Sequence, residues 1–175
     1  MSTPRSSSAA LPIARAMLRI LIVLNWLGGA AILALLVVIP NAEWIMRAFE
    51  LSPSPDADRL IMGLRAIAML GLATIPLNHL ALKRLLAIVE TVRAGDPFIP
   101  ANATRLQGIA WVLLALQLLS LVIGTIAKAL STPAHPVQVD AGFSINGWLA
   151  VLLTFLLARV FAEGTRMRED LAGTV

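Results

Sequence analysis

The sequence predicts an all-α membrane protein with four transmembrane helices, both termini cytoplasmic, and helices 2 and 4 extended into the cytosol. Three observations carry this prediction. Residues 20–42, 66–82, 106–127 and 141–158 contain no Asp, Glu, Lys or Arg. Each stretch is near the roughly 20 apolar residues that a helix rising 1.5 Å per residue needs to cross about 30 Å of hydrocarbon. The composition agrees: 58% of the 175 residues are apolar and the mean hydropathy is +0.84, too high for an ordinary soluble domain. Finally, the basic residues sort by side. Ten flank the two termini and the central loop (Arg5, Arg15, Arg19, Lys83, Arg84, Arg93, Arg105, Arg159, Arg166, Arg168), whereas four belong to the other two loops (Arg47, Arg59, Arg65, Lys128). Cytoplasmic loops of membrane proteins carry such an excess, which places both ends on the cytoplasmic side. The net charge of +4 therefore reflects topology, and no direct nucleic-acid binding is expected.

Residues 1–11, with Pro4 and three consecutive serines, read as a disordered tail, and residues 12–175 as a single four-helix domain with spans at about 18–40, 60–82, 105–127 and 141–160. Pro12 suits a first helical turn, where its missing N–H has no intrahelical partner. The apolar stretch that follows exceeds a signal-peptide core, so the first span is expected to be retained. Pro40 and Asn41 end it, and Trp44 follows at interfacial depth. A Pro-rich turn at residues 52–56 leads to helix 2, which Asp56 or Asp58 can cap. Arg65 lies near its outer end, where the side chain can snorkel, and Pro76 should kink it. Beyond the span, Leu82, Leu85, Leu86 and Val89 keep helical apolar spacing, so helix 2 should run on until Gly95 stops it. A turn at residues 95–100 makes a hairpin with helix 3, which starts at Pro100 or Ala101. The outer loop at residues 131–140 is too rich in proline for a helix. Helix 4 should start near Phe143 and extend through Met167 or Leu171, with a Glu163–Arg166 pair on its surface.

Several groups of residues invite a functional reading. Ala150, Thr154, Ala158 and Ala162 place small side chains every fourth position on helix 4, which lets another helix approach closely, either within the chain or in a homo-oligomer. Asn25 and Gln117 are amides inside the hydrocarbon and need partners there, as interhelical contacts or as the lining of a polar path. His79 and His135 fall on opposite sides of the membrane and cannot share a metal or proton-relay site within one chain. Asn102-Ala103-Thr104 matches a glycosylation acceptor, but on the cytoplasmic side. The chain has no cysteine, and no hydrolase, phosphate-loop or dinucleotide motif is present. No catalytic residue, metal or cofactor is expected, and the chain reads as a non-enzyme.

The stretch Val92-Arg93-Ala94-Gly95-Asp96-Pro97-Phe98, with Asn102, Arg105-Leu106 and Ile109-Ala110-Trp111 after it, resembles a bacterial family of small four-span membrane proteins, domain of unknown function 2975. The run Phe161-Ala162-Glu163-Gly164 and Arg168-Glu169-Asp170-Leu171 carries the same resemblance, which covers about residues 12–175. The resemblance implies an accessory membrane protein that partners a small helix-turn-helix regulator, and it brings no catalytic or ligand residues. The expected contact surface is then Gly95, Asp96, Pro97, Phe98, Glu163, Arg166 and Arg168, all on the cytoplasmic side. The competing expectation is a small transporter, channel or immunity-type protein using Asn25, Gln117 and the Pro76 kink.

Overall fold

A computed structural model describes residues 10–38, 55–131 and 139–172. These form four helices: α1 (Ala10–Val38), α2 (Pro55–Arg93), α3 (Pro100–Leu130) and α4 (Ile145–Ala172). All four are long and apolar enough to cross a membrane, and no strand occurs among the described residues. The tail before Ala10, Pro40, Asn41, Trp44, most of the first loop and His135 lie outside the described residues. Helix α1 begins two residues earlier than expected, which leaves Pro12 still within the first turn. Helix α2 begins at Pro55, so Asp58 stands inside the helix instead of capping it. At 39 residues α2 spans about 58 Å, well beyond the hydrocarbon. Helix α3, with 31 residues, is also longer than the 28-residue α4.

The helices pack only on their neighbours in sequence: α1 on α2, α2 on α3, α3 on α4. Among the described residues α1 and α4 do not touch, so the four helices form an open row and not a closed bundle. Apolar side chains such as Leu24, Leu27, Leu152 and Leu156 are left exposed on the two end helices. Lipid tails are as apolar as leucine, so these faces need no protein cover in a bilayer.

Two local motifs set the geometry of the α2–α3 hairpin. Gly95 adopts φ +85°, its N–H donates to the Val92 carbonyl at 3.1 Å, and the Asp96 N–H donates to the Thr91 carbonyl at 3.1 Å. This is a Schellman cap, with glycine in the left-handed position that side chains disfavour. Pro100 then occupies the start of α3, where an N–H would have no partner. Where α4 meets the hairpin, Ile88 of α2, Leu106 and Ile109 of α3 and Ala158 of α4 form a buried cluster, flanked by Val92, Leu113 and Phe161.

The entry to α4 differs from the expectation. Residues 141–144 are uncharged but not helical, and α4 starts at Ile145 because Ser144 caps it: the Gly147 N–H donates to Ser144 Oγ at 3.2 Å. The segment before the cap lies against α3. Ser120 Oγ accepts the Gly142 N–H at 3.1 Å and lies 3.3 Å from the Gly142 carbonyl, to which it can donate. The approach is so close that a Cβ on Gly124 would sit 2.6 Å from the Gly142 Cα. Non-helical backbone beside a span needs such protein partners for its polar groups.

Candidate functional site

The end of the molecule that holds the hairpin turn also holds the start of α1 and the end of α4, and their polar side chains form one connected surface. Its anchor is Asn102, which has no solvent exposure. The Asn102 amide donates to Thr91 Oγ1 at 2.7 Å and to the Pro97 carbonyl at 2.8 Å, and its Oδ1 accepts from Arg105 Nη1 at 2.8 Å. Thr91 in turn donates to the Ile88 carbonyl at 2.7 Å. One side chain thus ties the end of α2, the turn and the start of α3 together. In the sequence Asn102 stands out only in a glycosylation-acceptor pattern and in the family resemblance, neither of which predicts its burial. A signal was present in the spacing of Asn102 and Arg105, one helical turn apart, just after a tight turn.

The tail of α4 docks onto this turn. Arg168 pairs with Asp96, and its Nη1 also donates to the Phe98 carbonyl at 3.3 Å. The Phe98 ring packs on Phe161 with centroids 5.2 Å apart, beside Gly164. Asp96, Phe98 and Arg168 therefore come together as one surface, with Gly95 and Pro97 in the connecting turn. Phe98 keeps 42% of its surface exposed, an unusual share for an aromatic ring at a packed corner. Glu163 and Arg166 are exposed and do not pair with each other; the expected surface pair is replaced by the longer-range Arg168–Asp96 contact. On the far side, Arg15 of α1 pairs with Glu90 of α2 at 2.7 Å, and Glu90 also takes Arg93 at 3.2 Å.

The two intramembrane amides do not meet. Asn25 donates to the Ile75 carbonyl at 3.0 Å, joining α1 to α2 one residue before Pro76. The carbonyl that Pro76 deprives of a donor is that of Leu72, four residues back, so Asn25 joins α1 to α2 beside the proline without taking up the freed group. Gln117 reaches the Ser144 carbonyl at the long distance of 3.5 Å, joining α3 to the start of α4. The two lie on separate helix pairs, Asn25 between α1 and α2 and Gln117 between α3 and α4. His79 stacks edge-on against Trp26, centroids 5.4 Å apart, between α1 and α2. Among the described residues no three of His, Asp and Glu converge as a metal site would require.

The small residues of α4 are arranged differently from the every-fourth stripe. Val151, Ala158 and Thr165, seven apart, are the buried line against α3, whereas Ala150 is exposed and Thr154 donates back to the Ala150 carbonyl at 2.7 Å. Ala158 belongs to both patterns, and Ala162 lies half-buried beside it. A seven-residue line is the seam of two helices crossing at a shallow angle.

Four long apolar helices, each able to cross a membrane, define a multi-pass membrane protein. The chain belongs to the family described as protein of unknown function (DUF2975), whose model matches residues 54–175. The match takes in α2, α3, α4 and the whole polar surface of the hairpin, and it starts after α1, a narrower extent than the resemblance over residues 12–175. Comparison with curated proteins and with solved structures returned no match.

Proposed function

We propose that the protein is a non-enzymatic sensor or scaffold of a bacterial cytoplasmic membrane, with both termini inside, whose hairpin turn and α4 tail act as one docking surface for a soluble regulator. The observation that supports this reading is the joining of two segments 70 residues apart in sequence, through Arg168 with Asp96 and the Phe98 carbonyl and through Phe98 with Phe161. The partner we propose, a small helix-turn-helix regulator, is the one that the sequence resemblance implies. A half-exposed phenyl ring beside the Asp96–Arg168 pair offers an anchor for a protein contact, since aromatic and arginine side chains dominate such interfaces.

Cross-linking in cells, followed by purification of the full chain and mass spectrometry, tests the reading. The expected result is capture of a helix-turn-helix protein by the wild type and its loss in Phe98→Ala and in Glu163→Lys. The second variant alters an exposed side chain and leaves the hairpin packing untouched. Equal capture by all three chains, or capture of no such protein by the wild type, refutes it.

A further inference from the structure

Between the start of α3 and the last turns of α4 runs an open groove of about 550 Å³. Its α4 wall carries Arg159 and Arg166, and its α3 wall carries Thr104 and Gln107, while Ala158 and Ala162 keep its floor shallow. Both arginines are exposed, and among the described residues neither makes an ion pair or side-chain hydrogen bond. We infer that this groove binds the phosphodiester headgroup of an anionic phospholipid from the leaflet at the hairpin end.

Three features select that occupant. The first is depth. Arg159 follows directly on the uncharged stretch that ends at Ala158, and Arg166 lies seven residues on, about 10 Å along the axis. The headgroup layer of one leaflet is roughly 5–7 Å thick, so the two guanidinium groups bracket it and can fold onto one phosphate between them. The second is charge. Glu169 closes the outer end of the groove, and two guanidinium groups against one carboxylate leave a net positive site. Arginine is also the side chain best matched to phosphate oxygens. The third is access. Helix α4 is the end of the row, with α3 as its neighbouring helix and the hairpin turn against its tail, so the groove opens sideways to the bilayer, and Phe155 at its inner end offers an apolar surface where acyl chains would lie. A soluble phosphate ester would use the charge but neither the depth nor the Phe155 end.

The full chain in zwitterionic detergent, titrated by native mass spectrometry, tests the site. The probes are phosphatidylglycerol, phosphatidylcholine of the same acyl chains, and water-soluble glycerol phosphate. The expected result is retention of one phosphatidylglycerol in clear preference to the other two. Each basic contact near a membrane surface is worth about 1 kcal/mol, so Arg159→Gln with Arg166→Gln should weaken retention about thirtyfold. Glu169→Gln should strengthen it. Ala162→Leu, which fills the floor, should weaken it at unchanged charge, and should this variant fold poorly the arginine pair still decides. Arg19→Gln, at the opposite end of the row, should leave retention within about twofold. Equal retention of phosphatidylcholine, equal binding of glycerol phosphate, or a loss in Arg19→Gln as large as in the groove variants overturns the proposal.

Discussion

Asn102 is the residue on which the hairpin end depends most. Its carboxamide is one of the few side chains able to donate twice and accept once in that position, to Thr91, Pro97 and Arg105. Asn102→Leu leaves a buried carbonyl and a guanidinium without their partner, and each such orphan costs about 1–3 kcal/mol. Unfolding in detergent should therefore show Asn102→Leu destabilised by roughly 2–4 kcal/mol. Thr91→Val keeps the shape and removes a single link in the network, so it should lose only about 1 kcal/mol. A near-neutral Asn102→Leu would mean that the network contributes nothing to stability. None of this was legible from composition, because a polar residue seven positions past a glycine cap looks like surface. Its burial follows from the turn folding back on α2, a tertiary event.

At the scale of elements, the signals that proved readable were those carried by a few adjacent residues. Gly95 ending α2 and Pro100 starting α3 need only local backbone geometry, and both fall where the sequence places them. The start of α4 was misplaced because absence of charge reports apolarity and says nothing of conformation. Ser144 sets that boundary as a local cap, and Gly142 holds the segment before it against α3 through Ser120, more than 20 residues away. The α4 stripe had the same weakness: spacing by four and spacing by seven coincide at Ala158 and diverge elsewhere. The two readings separate experimentally. Ala158→Leu should disturb the α3–α4 seam and destabilise by about 1–3 kcal/mol, whereas Ala150→Leu, on an exposed position, should stay within about 0.5 kcal/mol. A dimer seam along residues 150, 154, 158 and 162 predicts instead that Ala150→Leu shifts the oligomeric state in light scattering. Gly124→Ala should also destabilise, since its Cβ would press on backbone that no rotamer change can relieve.

For the molecule as a whole, polar chemistry gathers at one end of the open row. Among the described residues the amides at Asn25 and Gln117 join neighbouring helices at separate places. The connected polar side chains stand at the rim of the hairpin end. The described basic residues there are Arg15, Arg19, Lys83, Arg84, Arg93, Arg105, Arg159, Arg166 and Arg168, against Arg59, Arg65 and Lys128 at the other end. The positive-inside rule converts that asymmetry into an orientation. Because the sequence lacks cysteine, single-cysteine variants report one position each. Ala94→Cys, exposed beside the hairpin turn, and Asp140→Cys, exposed at the opposite end, suit a membrane-impermeant maleimide. Asp140→Cys should label in intact cells and Ala94→Cys only after permeabilisation. The reverse pattern would place the basic rim outside, remove any cytosolic regulator from reach of Phe98, and leave the Arg159–Arg166 groove facing the outer leaflet. Labelling of both in intact cells would mean that the chain inserts in two orientations, and that nine basic residues against three do not decide topology here.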